Sequence, residues 1–200
     1  MSSRRIHRIA VYCGSTPGSD PRYLAAARAL GTDLARRGIA ITYGGASVGC
    51  MGAMADGALA AGGSVTGVLT QGLAAREIAH PGLTRLEIVG TMHERKARMA
   101  ALSDAALALP GGYGTFDELF EALTWSQLAI DRKPVGVLDA GEFWAPALRL
   151  LDCAVEAGFL HSRNRALLAS ANSVQALLDE FEQMAAAFAI EDMPPSPVRP

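Results

Sequence analysis

Three glycines followed by two acids mark the part of this chain best suited to chemistry. They sit in LPGGYGTFDELFEALTWSQL, Leu109 to Leu128, where an apolar run meets a helical pattern. Pro110 cannot donate to a β-ladder, so it ends the run. Gly111, Gly112 and Gly114, with Tyr113 between them, let the backbone turn tightly and let a ligand reach bare amides. Thr115 stands where a helix N-cap is expected, and a helix N-terminus with free amides attracts an anion such as phosphate. Glu118 would follow one turn later, about a ribose away given the ~5.4 Å rise per turn. A purely structural reading is also open: Thr115 and Glu118 have the T-x-x-E spacing of a capping box. The helical spacing assigns Phe116, Leu119, Phe120 and Leu123 to a buried stripe. Glu118, Glu121 and Trp125 then fall on another face.

Other candidate residues lie upstream. TMHERKARMA (91–100) places Arg95, Lys96 and Arg98 early in a helix, where cations gain nothing from the dipole. A phosphate or purine beside Arg95 would account for them; a solvated basic face is the alternative. Glu77, in AAREIAH, is a further candidate acid, equally readable as a surface residue. YGGASVGCMG supplies Gly44 and Gly45 in a G-x-A-x-x-G pattern, for ligand approach or for tight helix–strand packing. It also contains a G-x-S-x-G match at Ser47, with Asp104 or Asp139 and then His161 in the order of a serine-hydrolase triad. Only two strands precede Ser47, which weighs against that reading. The 109–115 stretch lacks the G-K-[ST] that a P-loop has after its glycines, and it is not the dinucleotide fingerprint, which would follow the first strand.

These residues need a scaffold, and the rest of the chain describes one. Short apolar runs at 8–13, 41–43, 64–69, 83–89, 105–110, 134–139 and 166–170 read as strands. Helical patterns at 21–38, 50–61, 91–102, after Thr115, 143–158 and 173–188 alternate with them. Residues 70–82 read as a functional loop or short helix. Such alternation predicts a single α/β domain over 1–189: a Rossmann-like, doubly wound parallel sheet with helices on both faces. Ligands in such folds bind beyond the carboxyl ends of the strands, where the three loops CGSTPGS, YGGASVGCMG and LPGGYGT fall. The Pro-rich 190–200 is expected to be a disordered tail.

Composition narrows the function. Half of the 200 residues are apolar, and the formal net charge of −2 offers no basic field for nucleic acid or an anionic membrane. The chain's only lysines are Lys96 and Lys133. Cys13, Cys50 and Cys153 are widely spaced, form no zinc pattern with the histidines, and read as free thiols. No apolar run approaches the ~18 residues of a membrane span, and the N-terminal one is too short for a signal peptide. A cytoplasmic protein with a small-molecule substrate, and no nucleic-acid or membrane partner, is expected.

Taken together, LPGGYGTFDE (P-G-G-x-G-T-x-x-E), MHERKARM and YGGASVGCMG resemble the LOG (Lonely Guy) family, over about Ile9 to Leu138 and more weakly to Leu178. Its members are cytokinin riboside 5′-monophosphate phosphoribohydrolases, often labelled lysine decarboxylases. The resemblance implies a Rossmann-like homodimer with no metal or cofactor. The implied reaction is hydrolysis of the N-glycosidic bond of N6-substituted AMP, and in some members AMP, to free base and ribose 5-phosphate. By position, Gly111 to Thr115 would hold the 5′-phosphate, and Glu118 and Arg95 would be the catalytic pair. Lys96, Glu77 and Thr124 would contact substrate. Two departures stand out: Ala46 where many members have a third glycine, and Thr70 where a proline commonly ends the third strand. A non-catalytic nucleotide or cofactor carrier would keep the glycines without needing Glu118. Pyridoxal phosphate chemistry would need a Schiff-base lysine, and nothing around Lys133 suggests one.

Overall fold

The computed structural model describes residues 5–75 and 79–191. Its seven strands are β1 (Arg8–Tyr12), β2 (Ala40–Tyr43), β3 (Val65–Thr70), β4 (Arg85–Val89), β5 (Ala105–Ala108), β6 (Val135–Leu138) and β7 (Leu168–Ala171). All pair in parallel, in the order β4-β3-β2-β1-β5-β6-β7. The order reverses direction between β1 and β5, which makes that crevice the expected place for a ligand.

The inner strands are largely apolar on both sides because both faces are covered, whereas the edge strand β4, RLEIV, is mostly exposed. Ile9, Val11 and Leu107 point into one core. There they meet α1 (Pro21–Arg36), α2 (Gly49–Ala60) and α8 (Val174–Glu191) through Leu30, Met54 and Phe181. Ala10, Tyr12, Ala106 and Ala108 point to the other. That face is covered by α4 (Met92–Ala101), α5 (Tyr113–Gln127) and α6 (Ala145–Glu156), through Met99, Leu119 and Leu148. Small residues set the helix spacing: a Cβ on Gly31 of α1 would run into the Met54 carbonyl of α2.

Each sequence-read strand and long helix is present, with ends moved by a few residues. The 70–82 segment contains α3 (Gln71–Ala74), whose N-cap is Thr70: its hydroxyl accepts from Leu73 N at 3.2 Å, a bond a proline there could not make. A short α7 (Ser162–Arg165) precedes β7 and was not expected. The last helix continues to Glu191, past the expected boundary at 189; the rest of the Pro-rich tail lies outside the described residues.

Two expectations about α5 are corrected. The helix begins at Tyr113 with Gly112 as N-cap, so Thr115 is already inside the first turn and buried, and no Thr115–Glu118 capping box forms. Phe120, assigned to the buried stripe, is exposed, whereas Thr115, Glu118, Leu119 and Ser126 are buried. A genuine capping box stands at the start of α4. There the Thr91 hydroxyl accepts from Glu94 N, and the Glu94 carboxylate accepts from Thr91 N.

Candidate active site

The loops after β1, β2 and β5 are nested where the sheet order reverses. Gly14 N donates to the Pro110 carbonyl at 3.1 Å, and Met51 N donates to the Gly14 carbonyl at 3.2 Å. This nesting requires glycine. A Cβ on Gly111 would collide with the Thr115 side chain and come within 2.9 Å of Gly14 N; Gly49, at φ +59°, lies against the Ser15 backbone. The nest presents the N-terminus of α5, which no side chain caps. Gly112 and Gly114 have open space where a side chain would be, and Tyr113 is 93 % exposed. The first-turn amides therefore face outward, a ready anion site.

One turn into α5, Glu118 is 6 % exposed. Its Oε1 accepts from Arg95 Nη1 at 2.9 Å. Arg95, 5 % exposed, also donates through Nε to the Val68 carbonyl at 2.9 Å, which anchors α4 to β3. The guanidinium fits because Gly44 has no side chain: a Cβ there would run into Arg95 Nη2. Burial pushes the Glu118 carboxyl up from its usual 4.5 to about 7, with the adjacent Arg95 pulling the other way. A carboxyl poised there is suited to taking a proton near neutral pH.

Lys96 continues the charged row, reaching Asp117 at 3.1 Å and Glu121 at 3.0 Å. Burial alone would lower its pKa; the bonds to Glu121 and Asp117 outweigh that and raise it, so the ammonium is kept charged. Gly45, at φ +84°, accepts from His80 N at 3.0 Å. Thr124 is exposed farther along α5, its hydroxyl bonded to the Phe120 carbonyl. Glu77 lies outside the described residues. The structure thus gathers Gly44, Arg95, Lys96, Gly111 to Thr115 and Glu118 at one end of the sheet.

The competing constellation does not assemble. Asp104 accepts from His7 N and Arg8 N at the opposite end of the sheet, and Asp139 accepts from Trp144 N. His161 is the N-cap residue of α7. Lys133 is held by Asp131 and the Ala100 carbonyl. Among the described residues no cluster of His, Cys, Asp and Glu could hold a metal, and no helix is long and apolar enough to cross a membrane.

Sequence reasoning missed a clamp beside the site. His80 Nδ1 accepts from Gly82 N at 3.1 Å, so the Nε2–H donates to Asp56 at 3.0 Å, and Arg28 braces Asp56 at 3.2 Å. With an antiparallel bridge between Ala46 and Ala79, the clamp fastens the chain ahead of β4 to the Gly44–Gly45 turn. No local pattern announces it, since the partners come from three separate segments.

The family model described as "Possible lysine decarboxylase" matches residues 51–181. The rice (Oryza sativa subsp. japonica) cytokinin riboside 5′-monophosphate phosphoribohydrolase LOG is 43% identical over 179 residues, covering 90% of this chain and 74% of the relative. The chain belongs to the LOG family. Its relative LOG2 of Arabidopsis thaliana, also a cytokinin riboside 5′-monophosphate phosphoribohydrolase, is 44% identical, over 90% of this chain and 84% of its own. Among solved structures, the molybdenum cofactor carrier protein of Chlamydomonas reinhardtii superposes with TM-score 0.66 at 25% identity, over 91% of this chain and 99% of that one. The molybdenum cofactor binding protein of Rippkaea orientalis shares the fold, with TM-score 0.63 at 23% identity, over 94% and 99%. This LOG-family chain therefore has plant relatives named as enzymes and structural neighbours named as a cofactor carrier and a cofactor-binding protein.

Proposed function

We propose that this protein hydrolyses the N-glycosidic bond of N6-substituted adenosine 5′-monophosphates, the cytokinin riboside 5′-monophosphates, to free base and ribose 5-phosphate. The observation that carries the reading is the buried Arg95–Glu118 pair standing one turn beyond an uncapped, glycine-built helix N-terminus. From Tyr113 to Glu118 the helix rises ~7.5 Å, about the span from a bound 5′-phosphate to the anomeric carbon.

The phosphate is held by the amides of residues 111–115, which fixes the ribose over Glu118. As the bond to the base lengthens, positive charge grows on the ribose. The Glu118 carboxylate stabilises that charge and takes a proton from the attacking water. Arg95 reaches Glu118 from below and positions its carboxylate. Lys96 adds positive charge beside the bound nucleotide. A carrier would use the same phosphate seat but would gain nothing from a buried carboxyl poised near neutrality.

A homodimer fits this reading. Met92 at the start of α4, Phe120 on α5, and Leu128 and Ile130 just past it are exposed apolar residues on and beside the two helices that carry the site. The decisive experiment incubates the protein with N6-isopentenyl-AMP, AMP and the two parent nucleosides, and separates products by chromatography. Base released from the monophosphates alone is expected. Nucleotide binding without base release would overturn the reading in favour of a carrier.

A further inference from the structure

Beside Glu118, between α4, α5 and the sheet and open at one rim, is a cavity of about 30 Å³. Alanines line its inner part, Ala10 and Ala106 on the strands and Ala100 and Ala122 on the helices. The charged side chains of Lys96, Glu121, Asp131 and Lys133 line it as well. Two hydroxyl-bearing residues, Ser103 and Tyr12, also line it. Ser103, 5 % exposed, has a buried Oγ with no hydrogen-bond partner. Tyr12, also 5 % exposed, brings a phenol whose proton is held firmly, first by burial and then by the charges of Glu118, Glu121 and Asp131. Glu118 lines the same space, and only its Oε1 is engaged by Arg95.

A buried hydroxyl with no partner is costly, and a cavity of this size lined partly by polar and charged groups accommodates about two waters. We propose that the cavity is a water site linking Glu118, Tyr12 and Ser103, through which the Glu118 carboxyl exchanges its proton with solvent from behind. The seat at the front is then free to stay filled by the nucleotide. A proton leaving Glu118 Oε2 passes to the first water. Each water that accepts one gives one on, and the last releases it at the rim beside Lys96, Glu121 and Trp125. The charged groups facing this path are Arg95 and Lys96 from α4, Asp117 and Glu121 from α5, and Asp131 and Lys133 from the turn after it. The catalytic part of the inference rests on Glu118 acting as the base; the water site itself does not.

Ala122→Val, which adds two methyl groups to the cavity wall, is the primary test. Two near-isosteric variants, Tyr12→Phe and Ser103→Ala, accompany it. Carboxyl ¹³C NMR, with Glu118 assigned by its loss in Glu118→Gln, reads the Glu118 titration without reference to activity. Expelling the water removes solvation from the carboxylate, so Ala122→Val should raise the Glu118 midpoint by about half a pH unit or more. Base release should fall roughly tenfold while nucleotide binding is kept. Ser103→Ala should lower the melting temperature, because it takes a bond from the water. An unmoved midpoint in Ala122→Val, or a melting temperature that rises in Ser103→Ala, would show the cavity dry and overturn the proposal. If the parent protein releases no base but the midpoint shifts, the water site stands and the phosphoribohydrolase reading is what fails.

Discussion

Replacing Glu118 by Gln separates what the buried carboxyl costs the fold from what it gives the reaction. Between its usual 4.5 and about 7, the folded chain keeps a proton on Glu118 that the unfolded chain has already released. Stability therefore falls as pH rises through that window. Above it, each pH unit of the displacement counts for about 1.36 kcal/mol, so ionised Glu118 costs the folded state on the order of 3 kcal/mol. Gln keeps an acceptor for Arg95 Nη1 and never ionises. Glu118→Gln should therefore melt close to the parent at pH 5. At pH 8 it should melt higher, by roughly 6–12 °C if about 3 kcal/mol is recovered in a chain of this size. Its turnover should fall by about 10²–10⁴-fold with nucleotide binding retained. The parent's rate should rise with pH through about 7, the value at which Glu118 becomes a carboxylate. Calorimetry at the two pH values and chromatographic rates supply both readouts. A variant less stable than the parent by the same margin at pH 5 and pH 8 would show the ion pair to be a structural support. Retained turnover would refute the catalytic assignment outright.

Three further perturbations test the surrounding parts. Gly44→Ala drives a methyl group into Arg95 Nη2, so turnover should drop at least tenfold with a smaller loss of nucleotide binding, measured by titration calorimetry beside the rate assay. Thr91→Ala removes the capping box of α4 and should cost about 1 kcal/mol in urea unfolding while leaving substrate affinity near that of the parent. Phe120→Glu places a charge on the exposed face of α5; light scattering should show the mass halve if that face joins two copies, and an unchanged dimer mass would move the interface elsewhere.

The architecture was legible because strands buried on both faces are continuous apolar runs and the helices between them are long and amphipathic. Local rules failed where a distant partner decides. The start of α5 was read three residues late, since cap rules favour Thr115 over an extended Gly112 with no side chain to offer. The buried stripe was drawn through Phe120, yet the inward face is fixed by Glu118 meeting Arg95 from another helix, which leaves Phe120 outside. Arg95 itself looked like part of a surface basic run. Its burial depends on the missing side chain of Gly44, about fifty residues upstream, and nothing near Arg95 in the sequence signals that vacancy. The Thr91–Glu94 box was readable from T-x-x-E and was overlooked in favour of the same spacing at 115–118.

The place of β1 at the centre of the sheet has a consequence for the order in which the protein can be made. The strand leaves the ribosome first, and β2 soon follows to cover one edge, but its other neighbour is β5, encoded almost a hundred residues later. Until then the nascent chain carries a bare edge with Ala10 and Tyr12 uncovered, the condition under which strands pair with the wrong chain. The same delay keeps the proposed phosphate seat from forming early, because Gly14 must meet Pro110 and Arg95 must wait for Glu118. Closing the sheet against β5 and completing the proposed nucleotide site are both late events, so a chain truncated ahead of β5 would have neither.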